Sequence, residues 1–141
     1  DPQTWGGALP ARDAAVVIPP GRLVLVDQDV DVRGLVVEGV LEFARRDLAL
    51  SAEHVIATGN GVLRAGTVTE PFAQRLVITL RGADRSVNVM GAGTKVLAAV
   101  GGAIELYGRP VTSWTRLQGT AVAGATRITL AEPPAGWRVG D

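Results

Sequence analysis

The segment Gly39-Val40-Leu41-Glu42-Phe43 returns as Gly61-Val62-Leu63-Arg64-Ala65 and again as Gly102-Ala103-Ile104-Glu105-Leu106, in steps of 22 and then 41 residues. A chain that repeats short glycine-led strands at a period of about 20 residues stacks them coil upon coil, because no single copy can bury its own apolar face. The second step is close to twice the period. A degenerate copy is therefore expected between the second and third matches, at Leu76-Val77-Ile78-Thr79-Leu80-Arg81-Gly82. The repeat predicts an all-β fold, a right-handed parallel β-helix formed as a single domain over residues 1–141.

The rest of the chain agrees with that expectation. Val16-Val17-Ile18, Leu23-Val24-Leu25-Val26, Leu35-Val36-Val37, Val55-Ile56 and the Leu76 to Leu80 run are short β-branched or leucine-rich stretches bounded by Gly, Pro, Asp or Asn. They read as strands. No stretch carries a 3.6-residue apolar period long enough for a substantial helix. Thr67 to Arg75 and Gly82 to Thr94 are the longest non-repetitive stretches, and they are expected to project as insertions.

Alternation within the repeat sets which side chains point inward, since strand side chains change face at every residue. Leu41, Phe43, Leu63, Ala65, Ile104 and Leu106 take the inner face. Glu42, Arg64 and Glu105 then form an outward column with neighbours a strand spacing apart, which reads first as a solubilising charge ladder. A second reading makes Glu42 and Glu105 an acid and base flanking a glycosidic bond.

Composition excludes several function classes. Fourteen basic against fourteen acidic residues leave no electrostatic footprint for nucleic acid. No apolar run is long enough to insert in a bilayer. The absence of cysteine removes disulfides, thiolate metal sites and a cysteine nucleophile.

The order of motifs along the chain resembles the G-eight domain, an extracellular module of hyaluronan-binding, hyaluronan-degrading and fibrocystin-like proteins. The likeness runs from Trp5 through Val16-Val17-Ile18-Pro19-Pro20-Gly21, the Leu35 to Phe43 series, Gly61, Leu63, Gly66, Pro71-Phe72 and Gly101-Gly102-Ala103-Ile104-Glu105-Leu106-Tyr107-Gly108. It continues through Trp114-Thr115-Arg116-Leu117 to Trp137 and Gly140-Asp141. Departures are Asp13-Ala14-Ala15, where Gly-Asp is common, and Tyr107, where a histidine is common. The resemblance implies a secreted or cell-surface location, a place within a larger protein alongside further domains, and a glycan such as hyaluronan as partner.

The candidate site residues follow from chemistry. Aromatic planes stack on the C–H faces of sugars, and Tyr107 should face outward beside Glu105, with Trp114 further on. Glu105, Tyr107, Arg109, Trp114 and Arg116 form the candidate glycan-contact patch. Trp5 and Trp137, near the two ends, are expected to seal the core. Asp27, Asp29 and Asp31 alternate like the ligands of a calcium loop, but Val32 stands where such a loop needs glycine, so a solvated rim is the first reading and calcium the second. His54, the sole histidine, has no nucleophile-elbow serine to serve and reads as an outward strand residue. The Gly91-Ala92-Gly93-Thr94-Lys95 stretch reads as turns. The expected function is a non-catalytic glycan-binding or supporting module. The alternatives are a polysaccharide hydrolase or lyase using Glu42, Glu105 or the three aspartates, and a purely structural or adhesive solenoid.

Overall fold

The computed structural model describes residues 10–82, 84 and 86–139. It contains eleven short strands and, among the described residues, no helix. They are β1 (Ala15–Ile18), β2 (Leu23–Val26), β3 (Val30–Asp31), β4 (Gly34–Val37), β5 (Val40–Phe43), β6 (Leu48–Ala52), β7 (His54–Thr58), β8 (Val62–Ala65), β9 (Leu76–Leu80), β10 (Val96–Val100) and β11 (Ala103–Leu106). Each strand pairs in parallel with the third one after it. This gives three sheets, β1-β4-β7-β10, β2-β5-β8-β11 and β3-β6-β9. A parallel arrangement in which successive strands enter three sheets in rotation is compatible with a β-helix-like fold.

The chain divides into two compact units, residues 1–108 and 109–141. All eleven strands lie in the first. Their inner positions match along the stack: Val24, Leu41, Leu63 and Ile104 are register partners in turn, as are Val16, Leu35, Val55 and Leu97. Leu41, Leu63 and Val55 are essentially inaccessible. Burying each such side chain stabilises the fold by about 1.5–3 kcal/mol.

The glycine that leads each repeat is required by close approach. A Cβ on Gly39 would overlap the Arg22 carbonyl oxygen, one on Gly61 the Val37 carbonyl oxygen, and one on Gly102 the carbonyl oxygen of Gly61. The corner before β5, β8 and β11 thus leaves no room for a side chain. The same corner carries the bonds between neighbouring strands' ends, Val40 N to Arg22 O, Val62 N to Gly39 O and Ala103 N to Gly61 O, each 2.8 Å.

Two sequence expectations change. The Leu76 to Leu80 run is a strand, β9, but it pairs with β6 in the third sheet and is no copy of the repeat. The repeat's second and third copies, β8 and β11, are direct neighbours, and the longer step between them accommodates the residue 81–95 loop. Leu106 takes the inward parity but is 51% exposed, because β11 is the last strand of its sheet and no further strand covers it there.

Among the described residues, both expected insertions are strand-free. The Thr67 to Arg75 segment is anchored by Phe72, whose ring is buried and whose backbone N donates to the Tyr107 carbonyl at 2.7 Å. Arg45 fastens it from another side, donating to the Glu70 carboxylate at 2.7 Å and to the Pro71 carbonyl. In the later loop the glycine-rich stretch forms turns, with Gly93 N donating to Asn88 Oδ1 and Ala92 N to Val89 O.

Among its described residues, the second unit contains no strand and no buried side chain. Backbone bonds join Thr112 to Ala135, Gln118 to Thr129 and Ala131 to Arg116. Trp137 was expected to seal a core, yet it is 45% exposed and spends its indole N–H on the Thr112 carbonyl. Its counterpart in that expectation, Trp5, lies outside the described residues, as do Gly140 and Asp141.

Candidate functional site

The outward face of the second sheet is ordered into rows because its four strands are in register and their inner residues alternate with outer ones. One row across that face reads Leu25, Glu42, Arg64, Glu105. Beside it runs an apolar row of Leu23, Val40, Val62 and Ala103. Tyr107 follows Glu105 by two residues and so shares its side.

The charge column forms as the alternation requires. Arg64 Nε donates to Glu105 Oε2 at 2.7 Å, and both side chains are about one third exposed. The hydrogen bond and charge of Glu105 raise the Arg64 pKa above its ordinary value, and the field of Glu42 adds to this. Arg64 is thereby locked as a cation between two carboxylates, with the Tyr107 phenol close enough to interact. An exposed pair of this kind contributes about 0–1 kcal/mol, so the column matters more for what it presents than for stability.

Glu42 and Glu105 are separated by two strand spacings, roughly 10 Å along the sheet. Arg64 stands between them and holds Glu105. A glycosidic bond set between the two acids would have to displace that guanidinium first.

The candidate glycan patch resolves into two parts. Glu105 and Tyr107 belong to the first unit, while Arg109, Trp114 and Arg116 belong to the second. In the first, the structure brings Glu105 together with Arg64, which the sequence reading placed in the column but left out of the patch. In the second, the Arg116 guanidinium lies 5.7 Å from the centroid of the Trp114 ring, a cation–π contact on an indole that is 67% exposed. Arg109 is exposed.

Tyr107 is fixed from its backbone. Its N donates to the Ala65 carbonyl and its own carbonyl receives the Phe72 N–H. The chain beneath it is Gly66, whose φ of 74° suits glycine and whose Cβ would press on the Phe72 nitrogen and the Tyr107 carbonyl. The 66–75 loop therefore packs tightly against Tyr107, just past the end of β11.

The three aspartates do not gather round a common point. Asp29 Oδ1 accepts the Ala49 N–H at 2.8 Å. Asp31 is held by two guanidiniums, Arg12 and Arg81, and Arg81 also donates to the Val32 and Arg12 carbonyls. The Asp27 carbonyl accepts from Arg46. Among the described residues no three acidic or histidine side chains are placed to hold a metal ion. Asp29 and Asp31 are thus engaged by protein donors. The sequence signal for that outcome was weak, since Arg12 and Arg81 lie far from Asp31 along the chain.

His54 sits on β7, half-buried, across from Gly34 on one side and Val96 on the other. Ser51 is a register partner of Asp31 on β3.

Comparison with known proteins gives concordant results. The G8 domain profile matches residues 4–118. The chain is 40% identical over 142 residues to human fibrocystin-L, covering 98% of this chain and 3% of that protein. It is 37% identical to mouse fibrocystin-L, again over 98% of the chain and 3% of the relative. Dog fibrocystin is 35% identical over 151 residues, 97% of the chain and 4% of the relative. The chain thus spans only a few per cent of the length of these relatives. No solved structure matches it. Among the described residues no helix is long and apolar enough to cross a membrane.

Proposed function

The chain belongs to the G8 domain family, and from that premise we propose that it is a non-catalytic module of a larger secreted or cell-surface protein, holding a polysaccharide on the outer face of the β2-β5-β8-β11 sheet. In the same reading the three sheets close into a right-handed parallel β-helix. The support for that is the strict rotation of strands among sheets and the strong preference of parallel crossovers for the right hand. The stack supplies rigidity and the sheet supplies a flat platform, which is what a linear polymer needs to lie along.

One observation carries the binding reading: a polar column of Glu42, Arg64 and Glu105, with Tyr107 on the same side and an apolar row next to it. Carboxylates and a guanidinium offer acceptors and donors for sugar hydroxyls, and a phenol ring offers a surface for C–H faces. Trp114 with Arg116 is a second aromatic platform within its own unit. Hyaluronan is the polysaccharide that the family resemblance puts first.

Affinity chromatography on immobilised hyaluronan, chondroitin and uncharged glycans tests the reading. Retention that Tyr107→Ala weakens by about tenfold, with no new reducing ends or unsaturated products, is the expected result. Release of such products would replace the module by a hydrolase or lyase. Passage through every column unretarded would leave only a structural or adhesive role.

A further inference from the structure

We infer that the second unit carries a subsite of its own for a carboxylate-bearing polysaccharide, with Trp114 as the platform for a sugar ring and Arg116 and Arg127 as partners of its carboxylates. The inference rests on the reading of the chain as a polysaccharide-holding module, but it needs none of the residues on the β2-β5-β8-β11 sheet.

The subsite is built on an irregular antiparallel ladder. Gln118 N donates to the Thr129 carbonyl, Ala131 N to the Arg116 carbonyl, and Leu117 bridges Leu130 between them. Further along, the Thr115 hydroxyl donates to the Glu132 carbonyl and Thr112 N to the Ala135 carbonyl, while Ala135 N donates back to the Thr112 hydroxyl. The Trp137 indole N–H braces the same end by donating to the Thr112 carbonyl. All the paired residues from Thr112 to Gln118 keep one register, so side chains two apart share a face and opposite partners share it with them. Trp114, Arg116 and Gln118 therefore form one row, with Pro133, Ala131 and Thr129 beside it. The 5.7 Å contact of the Arg116 guanidinium with the Trp114 ring is what that shared face requires. The facing residues are small, and all three members of the row are exposed.

Each member offers something a sugar acid can use. The Trp114 ring, 67% exposed, presents a surface for pyranose C–H groups. Gln118 offers an amide to hydroxyls. Among the described residues no carboxylate pairs with Arg116 or Arg127, so each guanidinium keeps its planar fork for an incoming one. The row runs into a shallow cavity of about 200 Å³ lined by Gly119, Thr120, Arg127 and Thr129, which sets the second cation beyond the end of the row. Charge favours the same ligand. Residues 109–141 hold four arginines against two acids, while residues 1–108 hold ten basic and twelve acidic side chains. The second unit is thus the basic part of a chain with no net charge, and a polyanion is drawn to it.

The test is calorimetry on the full chain carrying Tyr107→Ala, which disables the sheet face and leaves the second unit as it is. The two probes are a hyaluronan hexasaccharide and the same hexasaccharide with its carboxylates reduced to alcohols. The acidic form should bind about three- to tenfold more tightly, the effect of one or two exposed ion pairs. Adding Arg116→Gln or Arg127→Gln should weaken the acidic form about two- to fivefold and leave the reduced form unchanged. Adding Trp114→Ala should weaken both forms about five- to tenfold, with an unchanged circular dichroism spectrum. Equal affinity for the two forms, or an acidic preference that survives both arginine substitutions, overturns the inference. Binding by the unsubstituted chain that Tyr107→Ala abolishes outright also overturns it and leaves the sheet-face reading intact. Binding that Tyr107→Ala leaves undiminished and Trp114→Ala removes upholds the inference and overturns the sheet face instead.

Discussion

The two units of this chain both carry large apolar side chains, and only the first buries them. Residues 10–108 stack eleven strands in register, and every buried hydrophobic residue among those described lies there. Residues 109–139 also carry large apolar side chains, yet Val111, Trp114, Leu117, Val122, Ile128, Trp137 and Val139 are all exposed. What differs is repetition. In the first unit an apolar residue finds its like on the neighbouring strand, because glycine corners and a common parallel register return the chain to the same position. In the second, the isolated bridge of Leu117 to Leu130 holds a single point, and no strand forms among the described residues. Hydrophobicity drives burial only when the backbone can bring apolar groups together repeatedly.

The sharpest way to break the contrast is to remove one stacked side chain. Leu63 is fully buried between Leu41 and Ile104, so Leu63→Ala should cost about 2–5 kcal/mol in urea unfolding. Ile128→Ala, the same kind of truncation on a residue 61% exposed, should change stability by no more than about 0.5 kcal/mol. Equal losses at the two positions would mean that the second unit has a core of its own. Next in size is the corner itself. Gly61→Ala places a methyl group against the Val37 carbonyl and should destabilise the first unit by about 1–3 kcal/mol, read as a lower denaturation midpoint.

How much of this was legible follows from the same contrast. The repeat at Gly39, Gly61 and Gly102 identified the outer column before any coordinates, because register in a stack is a property of the sequence pattern itself. Strands β6 and β10 escaped, since Leu48-Ala49-Leu50-Ser51-Ala52 and Val96-Leu97-Ala98-Ala99-Val100 are alanine-rich and lack the β-branched density that marks a strand. The Leu76 run was assigned to the wrong sheet, because apolar composition tells that a segment is a strand and not which strand it joins. The Arg12, Asp31 and Arg81 cluster was invisible for another reason: its members meet only through stacking across coils. In the second unit the expectation for Trp137 failed because chain-end position was used where packing partners were needed.

A smaller effect separates the charge column from the core beneath it. Arg64→Met should remove the bond to Glu105 and change stability by about 0–1 kcal/mol, far less than truncating Leu63 one position away. Adding salt should shrink the difference further, because an exposed pair is screened. A loss comparable with that of Leu63→Ala would show that the column supports the stack rather than merely lining it.

The smallest expected effect lies in the 81–95 loop, where order comes from polar contacts instead of stacking. Asp84 Oδ1 accepts both the backbone N–H of Ser86 at 2.8 Å and its hydroxyl at 2.6 Å, and these bonds hold the Asp84 pKa below its ordinary value. The sign follows from linkage. A carboxylate with a depressed folded pKa contributes above its unfolded pKa, and the contribution is lost as pH falls through the folded value. Acidification should therefore loosen this turn first at Asp84, with the strands unaffected. Ser86→Ala removes the hydroxyl donor and should move the Asp84 titration, followed by NMR, back toward that of an unperturbed aspartate. The global unfolding midpoint at neutral pH should stay where it was, since the side chain is fully exposed and nothing in the stack depends on it. A fall in that midpoint would couple the loop to the coils and blur the division between repeated and unrepeated parts of the chain.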